Sequence, residues 1–314
     1  MGGTSGMGLA TAQVLSSEGY RVIISGRSQD TINKALSEVA GDCTGFPLDF
    51  TDAASVASFF EQVGSLDHLA LVGSGKAVWG NFRDLKLEDL KVAFEQKFYG
   101  FFLCTQAALG KLRADGSITF VIGGASRSAI PGTTGVAAVN GAIQAMAFTM
   151  AKELAPLRVN ILSPGLFDTP VYNWMTPEQK ADFFKQMGGE LPVGRVGKPD
   201  EIGQAVSYFI KNGFTTGAIL DVDGGDGYIK YWLNQLGCFR NLTSLFSGSR
   251  GVGLEQRDLA EGQVAHETIA EVYMQALHNK TAQGKTFEVY NEKGNPLTNW
   301  SAAFAALLSG AVFH

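Results

Sequence analysis

The chain opens Met1-Gly2-Gly3-Thr4-Ser5-Gly6-Met7-Gly8 and runs at once into Leu9-Ala-Thr-Ala-Gln-Val-Leu-Ser-Ser17. Four glycines in eight residues, followed directly by an apolar pattern of helical period, describe a turn that opens a helix. The first amides of a helix have no partner within it and carry the positive end of its dipole, and glycines let an anion come up against the main chain. Gly2, Thr4, Ser5, Gly6, Met7 and Gly8 are therefore candidates to hold a pyrophosphate. The next apolar run, Arg21–Ser25, reads as a strand and ends in Gly26-Arg27-Ser28. No acidic residue stands there to grip the two ribose hydroxyls of NAD. Arg27 would pair with a 2′-phosphate instead, so NADP(H) is preferred over NAD(H), the competing reading being a solvated loop arginine.

Working outward, continuously apolar runs recur at His68–Val72, Ser117–Ile122, Arg158–Ser163 and Ala218–Val222, the pattern of parallel strands covered on both faces. Helical patterns lie between them at Leu9–Ser17, Thr31–Val39, Ala53–Val63, Leu87–Leu112, Val136–Leu154 and Pro199–Lys211. Alternation of this kind predicts an α/β fold with a Rossmann-type doubly wound parallel sheet. Gly makes up 39 of 314 residues, nearly double the usual share of about 7%, which suits the many strand-to-helix turns. A net charge of −5 supplies no basic field for nucleic acid or anionic membrane. No stretch of about 18 apolar residues is present, and the N-terminus lacks the pattern of a signal peptide. Cys43, Cys104 and Cys238 are too few and too scattered for a disulfide framework or a zinc site, so no metal is expected. These features point to a cytoplasmic protein.

The glycine turn resembles that of the short-chain dehydrogenase/reductase family, and further motifs follow in the same order. Asp49, in Pro-Leu-Asp-Phe-Thr-Asp, is similar to the family residue that meets the adenine; Val72-Gly73-Ser74 stands at the family's Asn-Asn-Ala-Gly turn. Arg158-Val-Asn-Ile-Leu-Ser-Pro164-Gly165 resembles the strand and turn beside the nicotinamide, and Thr169 the residue that bonds its carboxamide. The likeness covers residues 1–226 and implies an oxidoreductase with NADP(H) as cofactor, a small carbonyl or alcohol as substrate, and a homo-oligomer. In the family a first strand precedes the glycine turn and forms the middle of the sheet. Here that strand is missing, and the expectation is a chain shortened at its start.

The resemblance fails where the chemistry lies. The family places a Tyr and a Lys four residues apart on one helix face; the matching positions hold Val136 and Asn140. Glycine, in Phe120-Val-Ile-Gly-Gly124, replaces the Ser that holds the substrate carbonyl, and Lys97 occupies the position of the Asn that anchors a proton-relay water. Loss of the phenol removes a general acid worth about 10² to 10⁴ in rate. Lys97, Asn140 and Ser126 are the candidate replacements, with Arg127 and Thr134 as further groups near a carbonyl oxygen. For Lys97 a helix-face lysine with a snorkelling stem is the competing reading. Tyr172, Trp174 and Met175 belong to a segment that resembles the family's substrate lid. The alternative function is a catalytically silent NADP(H)-binding sensor or assembly protein.

Residues 227–314 are read as a small α+β extension that packs on the first domain or at a subunit interface. Ile269, Val272, Tyr273, Ala276 and Leu277 have helical spacing, Thr286–Tyr290 reads as a strand ended by the turn Asn291–Gly294, and Trp300–Leu308 as an apolar helix. His266 and His278 have no acidic partner in sequence.

Overall fold

The computed structural model describes residues 1–226, apart from Ser74, Lys76 and Ala129, together with two short strands, Gly251–Glu255 and Glu288–Glu292. The chain divides into two units, Met1–Lys230 and Tyr231–His314. The first unit begins with α1 (Gly6–Ser17), β1 (Val22–Gly26), α2 (Gln29–Glu38), β2 (Cys43–Pro47), α3 (Ala53–Val63) and β3 (Leu66–Leu71). It continues with α4 (Leu87–Ala93), α5 (Gly100–Ala108), β4 (Leu112–Val121), α6 (Thr134–Glu153), β5 (Arg158–Pro164), α7 (Pro177–Gly189), α8 (Pro199–Lys211) and β6 (Ile219–Val222).

All the pairings in this unit are parallel. Strands β3, β4, β5 and β6 form one sheet in that order, and β1 pairs with β2 as a separate piece. The first residues of the chain supply backbone hydrogen bonds to both pieces. The Met1 amine donates to Ala70 O at 2.7 Å, the Val72 amide to Met1 O at 3.1 Å, and the Gly3 amide to Ser25 O at 3.2 Å. Period-two alternation then sends apolar side chains to both faces. On one face Ile118, Phe120, Val159 and Ile161 pack with Phe59 and Phe60 of α3, Phe101 of α5 and Ile143 of α6. On the other, Ile24, Val121 and Leu162 pack with Leu15 of α1, Ile32 of α2 and Val206 and Phe209 of α8. This is the doubly wound α/β arrangement that the alternating runs predict, with its sheet in two pieces.

The details correct several boundaries. The expected helix over Leu87–Leu112 is interrupted by a π-helical turn at Phe94–Tyr99, and its last residue already belongs to β4, which starts five residues before the expected Ser117. Strand β2 and helix α7 were not anticipated. Arg158, at the buried start of β5, ties that strand to α8: its guanidinium donates to the carbonyls of Phe209, Ile210 and Asn212 and so closes the C-terminus of α8. In the second unit β7 (Gly251–Glu255) pairs antiparallel with β8 (Glu288–Glu292). The described strand Glu288–Glu292 overlaps the expected Thr286–Tyr290 and includes Asn291 and Glu292, which the sequence places in a turn. The helices expected at Ile269–Leu277 and Trp300–Leu308, Cys238, His266 and His278 lie outside the described residues.

Candidate functional site

Because the strands are parallel, every segment that leaves a C-terminal strand end emerges on the same edge of the sheet. Gly26 ends β1, and Arg27 follows; Asp49 lies two residues beyond β2, Gly73 two beyond β3, Gly123 two beyond β4 and Gly165 one beyond β5. Each motif picked from the sequence is thus carried to one edge.

At the centre is the start of α1. Gly2 and Gly6 adopt φ of +77° and +51°, which fold the chain from the sheet into the helix. Ser5 is extended and gives no side-chain cap, and the first turn carries no acidic residue, so the amide end of the helix is open to an anion. Gly8 is required sterically, since a Cβ there would lie 1.9 Å from Gly2 O. A Cβ on Gly2 would sit 2.6 Å from Gly73 Cα, and one on Gly26 would sit 2.5 Å from Thr4 Cγ2, so both neighbouring turns back directly onto the glycine loop. A Cβ on Gly6 would sit 3.2 Å from Pro170 Cδ and 3.7 Å from Thr169 Cβ, which puts the Thr169 loop against the helix start. Met7 packs against the α1/α2/α8 core rather than facing the edge freely.

Arg27 is exposed at the end of β1. The Asp49 carboxylate accepts from the Thr51 hydroxyl at 2.6 Å and the Thr51 amide at 2.9 Å. Those bonds, and then the positive charge of Arg27, hold its pKa below the usual value.

The reaction end is built around Lys97. It sits in the π-helical turn between α4 and α5, and its ammonium points inward rather than out along its stem. Nζ donates to Ile122 O at 3.0 Å and to Asn140 Oδ1 at 2.9 Å. Asn140, 1% exposed on α6, uses its amide nitrogen towards Gly123 O at 3.4 Å. Among the described residues Lys97 forms no ion pair, and burial lowers its pKa to about 8. A Cβ on Gly124 would be 3.5 Å from Pro164 O, so the two strand-end turns flank this pair. The snorkelling reading of Lys97 is thereby set aside. Its bond to Asn140 joins residues 43 apart in the chain, and nothing local in the sequence signals it.

The other candidates are placed differently. Ser126 ends a short 3-10 turn, and its hydroxyl makes only a long, 3.5 Å contact with Gly123 O. Arg127, proposed for a substrate carbonyl, is instead paired with Asp221 at 2.9 Å. Thr134 is the first residue of α6. Tyr172 packs its ring on Phe183 and Phe184 of α7, and burial raises its pKa, whereas Trp174 is 76% exposed. Ser163 Oγ in β5, which no sequence motif singles out, is buried and has no hydrogen-bond partner among the described residues.

Known proteins resemble this chain over the first unit. A family model described as enoyl-(acyl carrier protein) reductase matches residues 2–226. The chain is 30% identical over 234 residues to the 3-oxoacyl-[acyl-carrier-protein] reductase of Rattus norvegicus, which covers 71% of this chain and 94% of that protein. It is 28% identical over 246 residues to a short-chain dehydrogenase/reductase of Stachybotrys chlorohalonatus, covering 72% of this chain and 94% of that one. Among solved structures, a small-chain dehydrogenase in complex with NADPH aligns with a TM-score of 0.61 at 34% identity, over 72% of this chain and 96% of the other. A crystal structure of a putative betaketoacyl-ACP reductase aligns with a TM-score of 0.65 at 30% identity, over 72% and 95% of the two chains.

Proposed function

Since the chain belongs to the short-chain dehydrogenase/reductase family, we propose that it is an NADP(H)-dependent reductase of a small carbonyl substrate in which Lys97 takes the place of the missing phenol as proton donor. The observation that carries this reading is the inward Lys97 ammonium, fixed by Ile122 O and Asn140 Oδ1 beside the turns at Gly123 and Pro164.

The residues present fit a dinucleotide. The open amide end of α1 takes the pyrophosphate, Arg27 the 2′-phosphate, the Asp49 turn the adenine, and Gly165 with Thr169 the nicotinamide side. When bound, the reduced cofactor supplies a hydride. A lysine ammonium has three donors, and among the described residues two of them are occupied. The third is left for a substrate oxygen, and a pKa near 8 keeps the group protonated at neutral pH yet acidic enough to release the proton. Ser126, whose hydroxyl has only the long contact to Gly123 O, is the second donor to that oxygen. Asn140 orients Lys97 and offers its amide towards the cofactor ribose.

The absence of a phenol at Val136 favours one rival, an NADP(H)-binding protein without turnover. Carbonyl substrates assayed with NADPH by the fall in nicotinamide absorbance separate the two. Turnover that Lys97→Met lowers by about 10² or more supports the reductase. NADPH binding with no turnover on any carbonyl leaves the silent binder. The same reading places the protein in the cytoplasm as a homo-oligomer. Tyr99, Phe102 and Phe148, 52%, 45% and 40% exposed, support an association face on α5, α6 and the turn ahead of them.

A further inference from the structure

The carboxylates carried to the cofactor edge are engaged away from Lys97. Asp221 pairs with Arg127 at 2.9 Å, Asp168 with Lys180, and Asp49 accepts from Thr51. The Lys97 ammonium meets only neutral oxygens, Ile122 O at 3.0 Å and Asn140 Oδ1 at 2.9 Å, and among the described residues no carboxylate answers its charge. A cation taken out of water without a counter-ion is costly, so such a group marks a site that lacks an anion.

A second donor without an acceptor lies on the same side of the sheet. Side chains of β5 alternate between its faces, so Ser163 points with Val159 and Ile161 towards the layer of α3, α5 and α6. Asn140 belongs to that layer, and Lys97 lies in the turn leading into α5. Ser163 follows Leu162, whose carbonyl accepts from the Ile122 amide, and Ile122 O in turn accepts from Lys97. Ser163 is 1% exposed, and its Oγ has no partner among the described residues. Buried hydroxyls are rarely left so.

Two such donors, one of them charged, describe a seat for an anion. A phosphate is met by guanidinium forks or runs of helix amides, and Arg127 is already held by Asp221. A single ammonium suits a carboxylate. Resting on the reading of Lys97 as proton donor, we propose that the substrate is a 2-oxo acid. Its carboxylate and the adjacent carbonyl oxygen lie side by side and share the free N–H of Lys97. The carbonyl π bond breaks as hydride from the reduced cofactor forms the new C–H bond; the oxygen takes the Lys97 proton, the lysine regains one from water, and a 2-hydroxy acid leaves. The carboxylate supplies the counter-charge and holds the ammonium protonated while the substrate binds. An ester of the same acid has nearly the same shape and leaves the cation bare.

The test uses phenylglyoxylate and its methyl ester with the full chain. With NADPH, kcat/KM is expected to favour the acid by about 30-fold or more. Calorimetric titration, with and without NADP+, gives a readout that needs no turnover. Lys97→Met should weaken phenylglyoxylate by about 30-fold or more while leaving the ester unchanged. Lys97→Arg, which keeps the charge but holds its proton, should bind the acid and not reduce it. Acid binding that survives Lys97→Met would place the anion elsewhere, at the open end of α1, and overturn the proposal. Turnover of both compounds without preference for the acid would overturn it too and leave the reductase standing. Acid-selective binding that depends on Lys97, with neither compound reduced, would uphold the anion seat and count against the reductase reading alone.

Discussion

Replacing Lys97 by Met removes one charge and little volume, and the structure sets the expected size of the effect. Burial lowers the lysine pKa from 10.5 to about 8. At about 1.4 kcal/mol per unit, keeping it protonated in the folded chain costs about 3 kcal/mol. Against that, the variant strands Asn140 Oδ1 and Ile122 O, whose bonds of 2.9 and 3.0 Å are lost, at roughly 1–3 kcal/mol for a buried acceptor. At pH 7 the two effects nearly cancel, and Lys97→Met is expected within about 2 kcal/mol of the parent. The decisive quantity is the pH dependence. The folded pKa is depressed, so between pH 8 and 10.5 the unfolded chain binds more protons than the folded one, and the parent gains stability as pH rises through that window. Urea unfolding at pH 7 and pH 10 should show the parent gaining about 2.5 kcal/mol relative to Lys97→Met. Parallel curves for the two proteins would refute the buried ammonium, and with it the acid proposed for the reaction.

Other expectations follow from neighbouring features. Reduction should slow as pH rises through about 8, where Lys97 loses its proton, and a rate flat from pH 7 to 9.5 would exclude it as the donor. Arg27→Ala should weaken NADPH about tenfold or more while leaving NADH unchanged, measured by fluorescence titration; equal losses for both would reject the 2′-phosphate contact. Gly8→Ala, whose Cβ would meet Gly2 O at 1.9 Å, should abolish dinucleotide binding in the same assay, and retained affinity would mean the turn is looser than described. Arg158→Met leaves several carbonyls at the end of α8 without their donor and should destabilise the fold by about 3 kcal/mol in chemical denaturation; a change below about 1 kcal/mol would show that water replaces it.

What the sequence revealed and what it hid have physical causes. Strand β5 was plain because seven successive residues are buried, which overrides even the Arg and Asn among them. Strand β2, Cys-Thr-Gly-Phe-Pro, was not, because Gly45 and Pro47 are poor strand formers and only the pairing to β1 holds it extended. The π-helical turn escaped because the run on either side keeps an apolar helical pattern and the extra residue leaves no mark in composition. The glycine loop was legible because its chemistry is local. The Lys97–Asn140 contact was not, since it depends on two elements brought together by tertiary packing, although both residues stood out singly as departures from the family pattern.

One contact far from the cofactor edge bears on how that edge is aimed. Gly203 of α8 approaches α1 so closely that a Cβ would stand 2.9 Å from Val14 Cγ2 and 3.1 Å from Ala10 O, and Glu18, just past the end of α1, accepts from Ser207 at 2.6 Å and pairs with Lys211 at 2.9 Å. Helix α1 is thus pinned at its middle and its tail like a lever on a fulcrum. A bulkier side chain at position 203 would tilt its open end away from the Thr169 loop, loosening the grip on a diphosphate by a change that touches no ligand.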